Sequence, residues 1–200
     1  MIKIEISDDD VERQAAEFVT LMAKDVEKAR ARALRKTSKW FGGVILRAVA
    51  KKERMPLRAL QNRVFVHAVK PGASSAFVFI GTAPVDATRI GSPVQNRQGV
   101  RLGRQSFRGA FLGRIYSGKT KVWIRQGSKF YDPARYPTRH RAGDRGASSD
   151  PGLMGRFPVV RAAVPINETV YEAADRLAGE VGARFMTDFR HELNYEANVR

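Results

Sequence analysis

Asp132, His140, Asp144 and Asp150 are the one place in this sequence where histidine and carboxylates gather. Carboxylates with an imidazole could hold a metal ion and hydrolyse a phosphodiester. That chemistry needs ligands held on rigid strand or helix ends. These four lie in SKFYDPARYPTRHRAGDRGASSDPGLMGR, a stretch dense in Gly, Pro and Ser. GxGxxG and P-loop patterns are absent, and no serine sits in a nucleophile elbow. His67 stands by itself in a strand-like run. There is no cysteine, which excludes disulfides, thiolate zinc sites and a Cys nucleophile. The expectation is a protein that is not an enzyme, with no catalytic residue, no metal site and no cofactor.

The cations offer a different chemistry. The chain has 36 Lys and Arg against 20 acids, a net charge of +16, and a pI of about 10.8. Solubility asks for a magnitude of only about 2–8, so the surplus points to a polyanion or an acidic protein surface. The charge is concentrated. Residues 28–54 carry ten Lys/Arg and one acid, residues 89–161 sixteen and three, and residues 165–200 four and seven. Within RGAFLGRIYSGKTKVWIR, residues 108–125, no acid interrupts the cations. Arg97, Arg101, Arg104, Arg108, Arg114, Lys119, Lys121, Arg125, Arg139 and Arg141 are the candidate contacts. They could face DNA phosphates or the acids of a neighbouring subunit, since phosphate contacts need charge and reach but no fixed motif. Phe107, Phe111, Tyr116 and Trp123 lie among them. Base stacking is conceivable for these rings, although burial statistics favour core roles for Phe111 and Trp123.

The elements that must carry these side chains read as α+β. Ile2, Ile4 and Ile6 alternate as a short strand. Asp9 and Glu12 have capping-box spacing. Val11, Ala15, Phe18, Met22, Val26, Ala29 and Ala33 then form a helical stripe that should face a core. The spacing predicts a helix to about Trp40, with a kink or break at Gly42-Gly43 before VILRAVAKKE continues. Pro56 suits the start of a short helix, PLRALQNR. RVFVHAVK and AFVFIG predict a hairpin. Residues 81–106, rich in Gly, Pro, Ser, Asn and Gln, predict a long loop or irregular arm. GAFLGRIY and TKVWIRQ predict a second hairpin, and FPVVRAAVP a last extended segment. Asn167 can cap a final helix with Val170, Ala174, Leu177, Val181, Phe185, Phe189 and Leu193 buried. No internal repeat appears. The expectation is one domain over 1–200, in three segments: strand and long helix 1–55, a β-rich part with basic loops 56–164, and a helix 165–200. The helices would pack on an antiparallel sheet. The basic arms at 89–110 and 129–156 would be partly disordered until assembly. No apolar run approaches the roughly 18–20 residues of a membrane span, and MIKIEISDDD has no long apolar core of a secretory signal.

In this order the features resemble the lambda-type minor tail protein Z family, the tail completion proteins of long-tailed phages. The resemblance rests on the basic helical stretch ARALRKTSKWFGGVILRAVAKKERMPLRALQNRV and a Gly/Arg-rich middle ending in GAFLGRI. The return KVWIRQG, the pair Tyr136-Pro137 and FPVVRAAVPI before the last helix follow. It spans roughly residues 25–195, with an insertion-like loop at 138–156. It implies a structural virion protein at the head-proximal end or neck of the tail, assembled in the host cytoplasm. It implies a homo-oligomeric ring, with a hexamer as one expected size, that acts in head–tail joining and DNA positioning. The implied partners are the tail terminator, tail tube or head–tail connector proteins, and the phage DNA. The other reading is a basic nucleic-acid-binding protein of ribosomal or nucleoid type.

Overall fold

Acids at one end and lysines at the other favour a long first helix, because both complement its dipole. Helix α1 runs unbroken from Asp8 to Lys52. The structure, a computed structural model, describes residues 8–67, 69–115, 119–133, 136 and 159–198, with the side chains of α1 from Met22 onward. The expected break at Gly42-Gly43 does not occur. Each glycine costs about 1 kcal/mol in a helix, but Ile45 and Val49 follow within two turns and are fully buried. Their burial outweighs that cost. The helix stops in a Schellman arrangement. Met55 N donates to Ala50 O (3.0 Å) and Arg54 N to Lys51 O (3.3 Å), with Arg54 in the left-handed region at φ 50°.

The fold is α+β. Two long helices accompany antiparallel strands, gathered among the described residues into small two- and three-stranded sheets. The chain forms two compact units, each built from separated pieces.

The first unit comprises Met1–Gly43, Phe65–Phe79 and Leu177–Arg200. Ala29, Ala33 and Thr37 are buried at four-residue spacing. The second long helix, α2 (Asn167–Asn198), meets α1 through polar side chains. Thr37 Oγ1 donates to Asp188 Oδ2 at 2.9 Å. Arg32 Nε lies 2.8 Å from Glu192 Oε2, Arg32 also pairs with Glu196, and Lys36 pairs with Glu192. Arg184 lies over the Trp40 ring, 5.7 Å from its centroid. As one helix ascends in number the other descends, so this pair is antiparallel. Burial would raise the Glu192 carboxyl, but Lys36 and Arg32 outweigh it and hold the group below the ordinary glutamate range. The predicted stripe is buried only in part. Met22 is 55% exposed and Val26 43%, while Ala29 and Ala33 are covered. Val11, Ala15 and Phe18 lie outside the described side chains, and the Ile2–Ile6 strand outside the described residues. Along α2, Val170 and Leu177 are buried, whereas Ala174, Val181, Phe185, Phe189 and Leu193 are half-covered. Asn167 is the first helical residue instead of the cap. Ile166 O accepts from Val170 N at 2.9 Å.

The first predicted hairpin forms as β1 (Val64–Val66) with β2 (Val78–Ile80). His67 N donates to Phe77 O at 3.0 Å, and Gly81 N to Arg63 O at 2.7 Å. His67 is an exposed residue at the strand end.

The second unit comprises Val44–Val64 and Ile80–Arg176. The short helix expected after Pro56 is a single 3-10 turn, Leu57–Leu60. The segment 81–106, expected as an irregular arm, is ordered as strands. After β3 (Val85–Asp86) and a 3-10 turn at Ala87–Arg89, it forms an antiparallel meander of β4 (Pro93–Asn96), β5 (Gly99–Leu102) and β6 (Gln105–Arg108). Val100 faces Phe107 across it and Leu102 faces Gln105. Val100, Leu102 and Phe107 are buried. The basic arm proposed at 89–110 is therefore a folded sheet. Gly99, at φ +145°, explains the tight first turn. A Cβ there would overlap the Phe107 carbonyl oxygen and lie 2.9 Å from Gly109 N. The second hairpin is as expected. Strand β7 (Phe111–Gly113) pairs with β8 (Lys121–Arg125), and β8 pairs with β9 (Val159–Arg161). Finally β10 (Ala163–Val164) pairs with β3. Of the arm at 129–156, only 129–133 and 136 lie among the described residues, and Tyr136 is fully buried against Phe107.

Candidate interaction surfaces

Strand alternation sorts the cations by face. On β5 and β6, Val100, Leu102 and Phe107 point into the core, so Arg101 and Arg108 point outward with Ser106 between them. Arg97 lies in the β4–β5 turn and Arg104 in the β5–β6 turn. All four arginines are exposed, and none forms an ion pair among the described residues. Arg101 Nε donates to Gly103 O at 3.3 Å. Arg108 lies 4.8 Å from the Phe130 ring centroid. Such stacking keeps a guanidinium extended and charged without neutralising it.

The second sheet treats its cations differently. Phe111, Trp123 and Arg161 stand side by side across β7, β8 and β9. Arg161 covers the Trp123 ring at 5.5 Å and Arg125 covers Phe111 at 5.6 Å. Trp123 donates its indole N–H to Gly113 O at 3.0 Å. Lys121 Nζ lies 2.8 Å from Asp86 Oδ2, and Arg161 3.9 Å from the same oxygen. Asp86 also accepts from the Thr88 hydroxyl at 2.6 Å and the Thr88 amide at 3.0 Å. Burial would raise this carboxyl, but the Lys121 and Thr88 hydrogen bonds prevail and hold it below the ordinary aspartate range. Lys121, a candidate contact, is thus half-buried and neutralised within its own chain. Arg114 is exposed, with Nε 3.4 Å from the Thr120 hydroxyl. Lys119 is exposed beside it. Arg139 and Arg141 lie outside the described residues.

Base stacking loses two of its four rings. Phe107 and Trp123 are buried, and Phe111 is half-buried beneath Arg125. Tyr116 lies outside the described residues. Of the carboxylate cluster weighed in the sequence, Asp132 is exposed, while His140, Asp144 and Asp150 lie outside the described residues. Among those described, no three His, Asp or Glu side chains gather.

A surface the sequence reading missed lies in the first unit. Phe65 and Phe79 are directly opposed on β1 and β2, with ring centroids 6.4 Å apart. Phe65 is 56% exposed, Phe77 70% and Phe79 58%. The largest fully buried side chains, from Tyr136 and Phe107 through Ile45 and Leu60 to Val122, all belong to the second unit. The first unit leaves Phe65, Phe77 and Phe79 in water and ties its helices together through ion pairs and the Thr37–Asp188 hydrogen bond. The signal was present in VFV and FVFI, where unbroken apolar runs replace alternation. Such runs belong to strands covered on both faces.

The chain matches no protein-family model, no curated protein and no solved structure. Function therefore rests on these surfaces. No helix among the described residues is long and apolar enough to cross a membrane.

Proposed function

We propose that this protein is a structural part of a phage virion, a tail completion protein at the head-proximal end of the tail. It works as a homo-oligomeric ring in head–tail joining and DNA positioning, without catalysis. The observation that carries the reading is the aromatic face of Phe65, Phe77 and Phe79 on a two-stranded sheet in a unit with little apolar core. Monomers rarely leave such a patch in water unless another chain covers it. Met22 and Val26 add to the uncovered surface of the same unit. Ring neighbours supply that cover, and the outward arginines of β5 and β6 meet acids of the terminator, tail tube or connector, or DNA entering the tail. The resemblance in the ordered basic helix, GAFLGRI, KVWIRQG and FPVVRAAVPI gives the assembly its place. Deleting the coding sequence from the parent phage genome tests this. The expected outcome is heads and tails that fail to join, and normal infectious particles would overturn the reading.

The second reading, a nucleic-acid-binding protein of ribosomal or nucleoid type, is favoured by one observation. Arg97, Arg101, Arg104 and Arg108 are exposed on one small sheet with no carboxylate partner among the described residues. It predicts tight, salt-sensitive binding by the isolated monomer. A filter-binding titration over a range of salt separates the two. Nanomolar affinity with a steep log–log slope favours this reading, and weak monomer binding favours assembly.

A further inference from the structure

We infer that a cleft in the second unit, beside the C-terminal end of α1, binds a nucleotide unit through its phosphate. The inference goes beyond the assembly reading and does not depend on it. The cleft measures about 600 Å³, within the range of about 300–1,000 Å³ typical of small-ligand sites. Met55 and Ile90, both buried, form an apolar floor with Pro56. Lys51, Arg54, Arg58 and Arg104 stand at its edge, exposed. No acidic residue lines it, and none of the four cations has an ion-pair partner among the described residues.

Three features separate this cleft from an ordinary basic surface. Arg54 occupies the left-handed position that ends a Schellman motif, at φ 50°, where glycine is the unstrained choice. A strained backbone that holds a guanidinium at the edge of a cleft is the pattern of a functional position. The helix end itself is closed: Met55 N and Arg54 N occupy the Ala50 and Lys51 carbonyls. Those acceptors would otherwise repel an anion. Gly91 and Gly103 line the opposite side and bring no side chain into the cleft. Small residues there keep the wall open.

The chemistry selects phosphate. Three guanidinium forks and one ammonium offer more donors and charge than a single carboxylate can use, whereas phosphate oxygens accept several at once. The volume exceeds that of a bare phosphate, and the apolar floor suits a sugar or base. The occupant is a free nucleotide or one nucleotide of a strand, which share this chemistry.

The test uses the full chain with methyl-labelled methionine, because the Met55 methyl reports from the floor. Adenosine diphosphate and an oligo-dT are titrated separately, with decaglutamate as an acidic control. A Met55 shift with adenosine diphosphate identifies a free-nucleotide site, and a shift with oligo-dT alone identifies a strand site. Either supports the inference. Arg58→Gln with Arg104→Gln should weaken binding at least tenfold. Lys24→Gln with Arg190→Gln, exposed and in the other unit, removes the same charge and should change it less than threefold. Arg54→Gly should weaken binding while it raises Tm by about 2–4 °C, since a glycine relieves the strain. The inference is overturned if neither nucleotide probe moves Met55, if decaglutamate moves it equally, or if the two double variants bind alike.

Discussion

Lys121 Nζ sits 2.8 Å from Asp86 Oδ2, and that one carboxylate also lies 3.9 Å from Arg161. A segment that reads as pure positive charge thus contains a neutralised lysine at its centre. Among the described residues, Arg97, Arg101, Arg104 and Arg108 of the neighbouring meander form no ion pair.

This relationship sets a pH dependence. Asp86 is held below its ordinary value in the folded chain, so it contributes stability above the unfolded pKa of about 3.9. That contribution fades as pH falls through the folded value. Asp86→Asn should cost about 2 kcal/mol near neutral pH. Thermal melts of both proteins from neutral to acid should show the gap closing below about pH 4. A gap that stays constant would show that the carboxylate charge is not what Asp86 contributes.

Thr37 and Asp188 tie α1 to α2 across 151 residues of sequence. Thr37→Val preserves shape but leaves the buried carboxylate with Arg184 as its remaining partner. The expected cost is about 1–3 kcal/mol in urea unfolding. A double-mutant cycle with Asp188→Ala, which removes the acceptor, should be non-additive, because the two share one hydrogen bond. Additive losses would mean that the bond does not form in solution.

The turn glycines are not equivalent. Gly99→Ala should lower stability by about 2 kcal/mol or more, through backbone overlap as well as strain. Gly103 sits at φ +55° with open space around a Cβ, so Gly103→Ala should cost only about 1 kcal/mol. Chemical denaturation of the two variants checks the order, and equal losses would count against the packed meander.

Covering the aromatic face should govern association. Phe65→Ser with Phe79→Ser should shift the protein from oligomer to monomer in light scattering, with little loss of monomer stability, because both rings are exposed. An unchanged mass for the variant would place the contact elsewhere.

Fold class was legible because its signals are long or periodic. Val170, Leu177 and the acids at the start of α1 mark helices, and KVWIR marks a strand by its β-branched and aromatic run. The meander was not legible. Its strands are four residues each, PVQN carries as many polar as apolar side chains, and QSFR carries more polar than apolar. Composition there reads as loop. The evidence was in spacing: Val100 and Leu102 alternate, and Gly99, Gly103 and Gly109 fall where the chain must reverse. The cations were legible as a set but not as individuals. Asp86, which removes Lys121 from that set, is 35 residues distant in sequence. No local pattern links them. The exposed phenylalanines were missed for a related reason, since a strand pattern does not say which face stays uncovered.

The first unit draws its pieces from the beginning, middle and end of the chain. During synthesis, Arg32, Lys36 and Thr37 emerge long before Asp188, Glu192 and Glu196, their partners. Until the last turns of α2 leave the ribosome, the cations of α1 have no counter-charge from that helix. The second unit has all its residues once Arg176 is made. The pairing of α1 with α2 is therefore the late event of this unit, and it follows the point at which the second unit has all its residues.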